Sequence, residues 1–264
     1  MVKAFSSKLI LIAVFSVATL IACGDSDEES KQAGEIAAAG SLLNYVPADS
    51  PYVFASLAPL PDDVLDKLEP KINRILSSYQ ILLQEMVVMA AQPADTESAS
   101  EEDQLDQQKA VAILSEMSSL FSIEGLRGAG FERKSRSILY GNGLLPVIRL
   151  EVSNGALFEA ALARIEESAG EKMEQMSIAG NPVRYVDVDQ ARILVAVLDK
   201  QVVLSVAPVD FAEPQLSSLL GFAAPASTIA AAGVLQKISG DYGYNDFLIG
   251  YLDFARIVGT LTGY

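Results

Sequence analysis

The feature that most constrains the fold of this 264-residue chain is a pair of nearly continuous apolar runs. Residues 193–198 read Ile-Leu-Val-Ala-Val-Leu, and residues 202–207 read Val-Val-Leu-Ser-Val-Ala, with Asp199 and Lys200 between them. Short runs rich in β-branched residues are typical of strands, and the lack of polar alternation indicates that both faces of each strand are covered. The sequence therefore predicts a β-hairpin at the centre of a sheet.

Shorter strand patterns lie on both sides of this hairpin in the sequence. Turn residues at 141–143 (Gly-Asn-Gly) and 179–181 (Ala-Gly-Asn) each separate two predicted strands. Pro146 predicts an edge position or a bulge for its strand, because proline has no N–H to donate to a neighbouring strand. The other predicted strands are 52–57, 136–141, 144–152, 176–179, 183–188 and 247–253.

Capping residues mark a helix between two of these strands. Ser153 and Asn154 are good N-caps, and Gly170 is a typical C-terminal residue, which predicts a helix that ends at about Ala169. Shorter helices are expected at 213–220, 228–238 and 254–261. The predicted buried stripe of the capped helix is Leu157, Phe158, Ala161, Leu162 and Ile165.

A helical hairpin is predicted over about 62–121. Apolar residues at helical spacing follow Asp62 and Asp63, and Pro70 is expected to kink this helix or to begin a second one. Residues 92–109 are acidic and predict a disordered loop or a solvated helical extension, after which a second apolar stripe runs to Phe121.

These elements predict an α+β fold, an antiparallel sheet with packed helices and a helical hairpin insertion. Residues 247–261 repeat the strand-then-helix order of residues 52–68. Two interpretations stay open: the start of a duplicated architecture truncated at the C-terminus, or a last element that docks on the first part of the sheet. The predicted mixed sheet region covers about 131–264.

The first residues carry a targeting pattern. Lys3 and Lys8 precede thirteen apolar or small residues at 9–21, too few for a bilayer span of roughly 20 residues but suited to a signal peptide. The segment ends in Leu20-Ile21-Ala22-Cys23, which resembles the lipobox of bacterial lipoproteins.

The lipoprotein resemblance implies a signal peptide at 1–22 and a diacylglyceryl anchor on Cys23, the sole cysteine. Residues 23–40 are then an acidic, flexible tether, and 41–264 a domain on the periplasmic side of the membrane. Gly24, in place of an aspartate directly after the cysteine, favours the outer over the inner membrane. The opening at 45–52 (Tyr-Val-Pro-Ala-Asp-Ser-Pro-Tyr) and the strand at 143–150 also resemble a group of uncharacterised, generally longer bacterial envelope lipoproteins, which implies no activity.

Composition excludes several classes of function. The chain has no His, which excludes Ser-His-Asp catalysis and imidazole-bound metals, and one Cys, which excludes an intrachain disulfide or thiolate cluster. A net charge of −15 argues against a nucleic-acid partner. No metal, cofactor or catalytic residue is predicted, and an enzyme is disfavoured.

Two local clusters are candidate sites. Arg127, Arg133, Lys134 and Arg136 form a basic patch that suits an anionic ligand such as a lipid head group, although a charged strand edge explains it as well. Asp187 and Asp189 alternate along a predicted strand and form a possible carboxylate pair, for which the solvent side of an edge strand is the simpler explanation.

The sequence thus predicts a lipid-anchored accessory or scaffold protein of the bacterial envelope that acts by binding a protein partner. The first alternative is a carrier or sensor of an amphiphile, held in a cleft between the helical hairpin and the sheet. The second alternative is a carboxylate-dependent hydrolase that uses Asp187 and Asp189.

Overall fold

The computed structural model describes residues 42–56, 58–91, 101–243 and 247–262, which form an eight-stranded antiparallel sheet and eight α-helices. The strands are β1 (Tyr52–Ser56), β2 (Ser137–Asn142), β3 (Leu145–Glu151), β4 (Glu174–Ile178), β5 (Asn181–Val188), β6 (Ala191–Val197), β7 (Gln201–Pro208) and β8 (Ile249–Leu252). The helices are α1 (Asp62–Ala91), α2 (Glu101–Leu120), α3 (Ile123–Gly128), α4 (Gly155–Ala169), α5 (Glu213–Leu219), α6 (Ile229–Ala232), α7 (Val234–Tyr242) and α8 (Phe254–Thr262). A 3-10 turn, Leu42–Tyr45, precedes β1. The predicted α+β class with its antiparallel sheet and helical hairpin is confirmed.

The strand order is β4-β5-β6-β7-β3-β2-β1-β8, and each neighbouring pair is antiparallel. The apolar hairpin β6–β7 is internal, as predicted, and consecutive residues such as Leu194 and Val195 are both buried, one on each face. β8 pairs with β1 at the edge of the sheet, as expected if the C-terminal segment docks on the first part of the sheet.

Helices cover both faces of the sheet. On the first face, α5, α6, α7 and the 3-10 turn pack on side chains of β1, β2, β3, β6 and β7. On the second face, α4 and the segment after α3 pack on Ile148, Leu150, Val195 and Leu204. The hairpin α1–α2 forms a further layer outside α4, because Leu114, Met117 and Phe121 of this layer meet Ile165 and Ala169 of α4.

The capped helix α4 follows its sequence closely. The Asn154 side chain accepts a hydrogen bond from the Ala156 N–H at 2.9 Å, and Gly170 ends the helix in the left-handed conformation, with φ of 66°. The prediction that Leu157 belongs to the buried stripe is wrong, because this residue lies in the first turn of the helix and is 40% exposed.

The edge position predicted for the strand of Pro146 is wrong, and one of the two alternatives for Pro70 is excluded. The strand that contains Pro146, β3, is internal and not an edge. Its ladder with β7 begins at Val147, so the missing N–H of Pro146 removes no bond from that ladder. Pro70 does not begin a second helix, since α1 continues through it.

The predicted acidic loop is partly helical. Residues 101–109 form the beginning of α2, which is the helical extension and not the disordered loop, and residues 92–100 lie outside the described residues. The predicted signal peptide, lipobox and tether also lie outside them.

Arg149 is a fully buried cation on the first face of the sheet. Its Nη1 donates to Gln201 Oε1 at 2.9 Å, its Nη2 donates to the Leu220 carbonyl, and its guanidinium carbon lies 3.8 Å from the centre of the Tyr45 ring. No carboxylate among the described residues forms an ion pair with it. Leu220 is the C-cap of α5. The partial negative charge at this end of the helix and the face of the Tyr45 ring therefore compensate the cation.

We expect Gly221→Ala to destabilise the protein more than Gly180→Ala, by about 2 kcal/mol. Both glycines have positive φ (66° and 79°), so both substitutions carry the left-handed penalty of about 1–2 kcal/mol. A Cβ on Gly221 would lie 2.5 Å from Arg149 Nη2, whereas nothing lies within 4 Å of one on Gly180. Urea unfolding of the two variants measures the difference, and equal losses would show that Arg149 moves aside freely.

Candidate functional site

The candidate site is a cleft of about 190 Å³ beneath the first half of α1. It is lined by the helices α1 and α3, by Ser56, Pro59 and Leu60, and by the segment at 131–135. Its interior is apolar, and a smaller apolar void of about 30 Å³ lies behind Leu126 and Phe131. The apolar residues that line the cleft are Pro59, Leu60, Leu65, Ile72, Leu76, Ile123, Leu126 and Phe131.

Local sequence explains why α3 faces this cleft. The Ser122 hydroxyl accepts a hydrogen bond from the Gly125 N–H at 2.8 Å, which caps the start of α3. A Cβ on Gly125 would lie 2.0 Å from the Ser119 carbonyl oxygen, so only glycine lets α3 turn this tightly against the end of α2. Ile123 and Leu126, three residues apart, then share one face of the helix and line the cleft.

Ion pairs between α1 and the far wall close the rim of the cleft. Arg127 Nη2 lies 2.5 Å from Glu69 Oε1, and Lys134 Nζ lies 2.9 Å from Asp62 Oδ1. Arg133 forms an ion pair with Asp66 and lies 3.7 Å from Glu69. The three acids are spaced four and three residues apart, so they lie on one face of α1.

The structure therefore brings together three of the four residues of the predicted basic patch. Arg127, Arg133 and Lys134 line the cleft, whereas Arg136 does not line it and instead pairs with Glu151 of β3 at 2.5 Å. This bond raises the pKa of Arg136 above its ordinary value. The patch is not a free cationic surface, because each of its cations forms an ion pair with a carboxylate of the same chain.

One N–H donor on the rim of the cleft has no acceptor among the described residues. The Nε of Arg133 is buried, faces Glu69 Oε2 at 3.7 Å and has no hydrogen-bond partner among the described residues, although the side chain as a whole is 30% exposed. An oxygen atom at this end of the cleft would satisfy that donor, since a guanidinium group can donate through Nε and Nη together.

Asp187 and Asp189 do not occupy equivalent positions on one strand. Asp187 accepts two hydrogen bonds from Arg192, from Nε at 2.7 Å and from Nη2 at 2.8 Å. Asp189 lies beyond the end of β5, in the turn to β6, with φ of 55°. A residue that leaves the strand does not follow its alternation, so the shared strand face expected from the sequence is absent.

Sequence reasoning missed the acidic half of the rim. Asp62, Asp66 and Glu69 have the spacing of one helix face, but their pairing with residues 127–134 depends on how the hairpin folds back. The only sequence indication was the matching run of basic residues near the end of the predicted hairpin.

No family model, curated protein or solved structure matches this chain. In the described ranges, no group of three or more His, Cys, Asp or Glu residues is arranged to hold a metal ion. None of the described helices combines the length and the apolar character that a membrane crossing requires.

We expect Lys134→Gln to raise the pKa of the Asp62 carboxyl group. The hydrogen bond and charge of Lys134 hold that pKa below its ordinary value. The ion pair therefore stabilises the folded state at pH values above the pKa of Asp62 in the unfolded chain, and this stabilisation is lost as the pH falls through the pKa in the folded chain. Carbon-detected NMR titration of Asp62 measures the change. Lys67→Gln, on the same helix but without an ion pair among the described residues, is the matched control and should leave this pKa nearly unchanged.

Proposed function

We propose that this chain is a lipid-anchored binding protein of the bacterial envelope, without catalytic activity, and that the cleft holds the apolar part of an amphiphile with an anionic head group. The observation that carries the proposal is an apolar cleft of about 190 Å³ with three cationic side chains on its rim. The anchor at Cys23 and the envelope location rest on the sequence at 20–23.

The size and lining of the cleft favour a short acyl chain. A cavity of about 150 Å³ lined by Leu, Ile and Phe takes up benzene, so this cleft has room for a group of about eight carbons. Burial of each CH₂ contributes about 0.8 kcal/mol, which makes the chain the main source of affinity.

The ion pairs on the rim favour an anionic head group. The carboxylates of Asp66 and Glu69 occupy positions beside Arg133 that a carboxylate or phosphate of a ligand would take. Each of these pairs is partly exposed, and such pairs contribute only about 0–1 kcal/mol. A ligand can therefore replace them at little cost, with a small movement of the start of α1.

The accessory role predicted from the sequence fits this proposal, because an anchor at Cys23 would hold the cleft close to a source of amphiphiles. The hydrolase alternative gains no support, since both oxygens of the Asp187 carboxylate accept hydrogen bonds from Arg192.

The test is a binding titration of the full chain carrying Cys23→Ser, with octanoate and octanol as probes and NMR chemical shifts as the readout. We expect both probes to shift signals of cleft residues and octanoate to bind more tightly. Ile72→Phe, which fills the cleft, should weaken binding of both by about tenfold or more, because the apolar contact is lost. Ile81→Phe, an exposed residue farther along the same helix that does not line the cleft, is the matched control and should bind as the wild type does.

The head group is tested by Arg133→Gln. This variant should lose the preference for octanoate over octanol while it still binds octanol. If neither probe shifts the cleft signals, or if Ile72→Phe and Ile81→Phe bind alike, the proposed site is wrong.

A further inference from the structure

From Ile75 onward, α1 carries an apolar stripe on a side that does not line the cleft. The stripe consists of Ile75, Tyr79, Leu82, Met86 and Met89, and each of these side chains is exposed by 36% or more. Leu76 and Leu83 face α2 and are buried in the hairpin core, and Tyr79 lies at the border of the two sets, since its ring centre is 5.8 Å from that of Phe121. Ile81 and Val88 are exposed as well but lie outside the stripe. A helix that is apolar on both of these sides has a second partner besides the hairpin.

The spacing of the stripe points to another helix. Its residues follow each other at intervals of four, three, four and three, which is the heptad pattern of a coiled coil. A bilayer surface requires no such period. The sequence that follows α1, from residue 92 to 106, contains acidic residues and no Lys or Arg, which disfavours an anionic membrane surface at this end of the helix.

We propose that this stripe is the interface with a second copy of the chain, in which two α1 helices pack antiparallel about a two-fold axis near Tyr79 and Leu82. In this arrangement Tyr79 of one copy meets Leu82 of the other, and Ile75 meets Met86. A two-fold interface of this kind is self-complementary, so one stripe supplies both sides. The two hairpins then form a four-helix arrangement.

Charge selects the antiparallel direction. Arg74 and Glu85 precede Ile75 and Met86, lie on the same flank of the stripe and are both exposed. Among the described residues, neither forms an ion pair. Antiparallel packing places Arg74 of one copy beside Glu85 of the other, whereas parallel packing puts this flank of the two copies on opposite sides of the interface, where the two charges do not meet.

The oligomeric state tests the proposal. Sedimentation velocity of the full Cys23→Ser chain should show a dimer that dissociates on dilution. Leu82→Glu should raise the dissociation constant by about 100-fold or more, because each dimer loses two buried leucines and gains two buried charges. Gln84→Glu adds the same charge two residues later, on the opposite side of the helix from the stripe, and should leave the dimer intact.

Charge reversal tests the direction. Arg74→Glu and Glu85→Arg should each weaken the dimer by about tenfold, and the double variant should restore it, because the pair is re-formed between copies. Far-UV circular dichroism establishes that each variant is folded. A monomeric wild type at about 100 μM, equal effects of Leu82→Glu and Gln84→Glu, or no restoration in the double variant would each overturn the proposal. Leu82→Glu, if folded, should still bind octanoate, so loss of the dimer can be told apart from loss of the cleft.

Discussion

The need to cover an apolar sheet on both faces determines the rest of this structure. In β6, β7 and β3, consecutive residues are buried, so neither face tolerates water. One face is covered by α5, α6, α7 and the turn before β1, and the other by α4 and the segment after α3. The outer side of α4 is apolar as well, and the hairpin α1–α2 buries it. Each layer thus creates the surface that the next one covers.

The outermost helix, α1, is held in two different ways along its length. Its first two turns are joined to the body by partly exposed ion pairs over an apolar cleft, whereas the part from Leu76 onward packs on α2 through Leu76 and Leu83. Apolar burial contributes about 25 cal/mol per Å², and an exposed ion pair contributes little. The first part of the helix is therefore held more weakly than the part that follows it. This division is what the two proposed binding surfaces of the helix rely on.

The strands and the capped helix were predictable because their determinants are local. The apolar runs of β6 and β7 and the caps Asn154 and Gly170 need no information from distant residues. The errors came from tertiary context. Pro146 is tolerated in an internal strand because it lies just before the ladder with β7 begins, and Leu157 is exposed although its spacing fits the predicted buried stripe. The cleft was anticipated only as a general region, since its rim joins α1 to a segment about seventy residues later. No sequence pattern indicated that Arg149, in the middle of an apolar strand, would be compensated by Leu220 and Tyr45.

The position of β1 between β2 and β8 has a consequence for folding. The strands β4 to β7 follow one another through short turns, so their pairing needs little loop closure and can form early. The strand β1 instead receives its last neighbour from the C-terminal end of the described chain, and the Tyr251 hydroxyl bonds to the Ser50 carbonyl across 201 residues. During synthesis, β1 therefore waits with one row of backbone N–H and C=O groups unpaired. An unpaired edge of this kind is where a wrong strand can pair, so the long separation of β1 and β8 in the sequence favours mispairing in the interval before β8 is made.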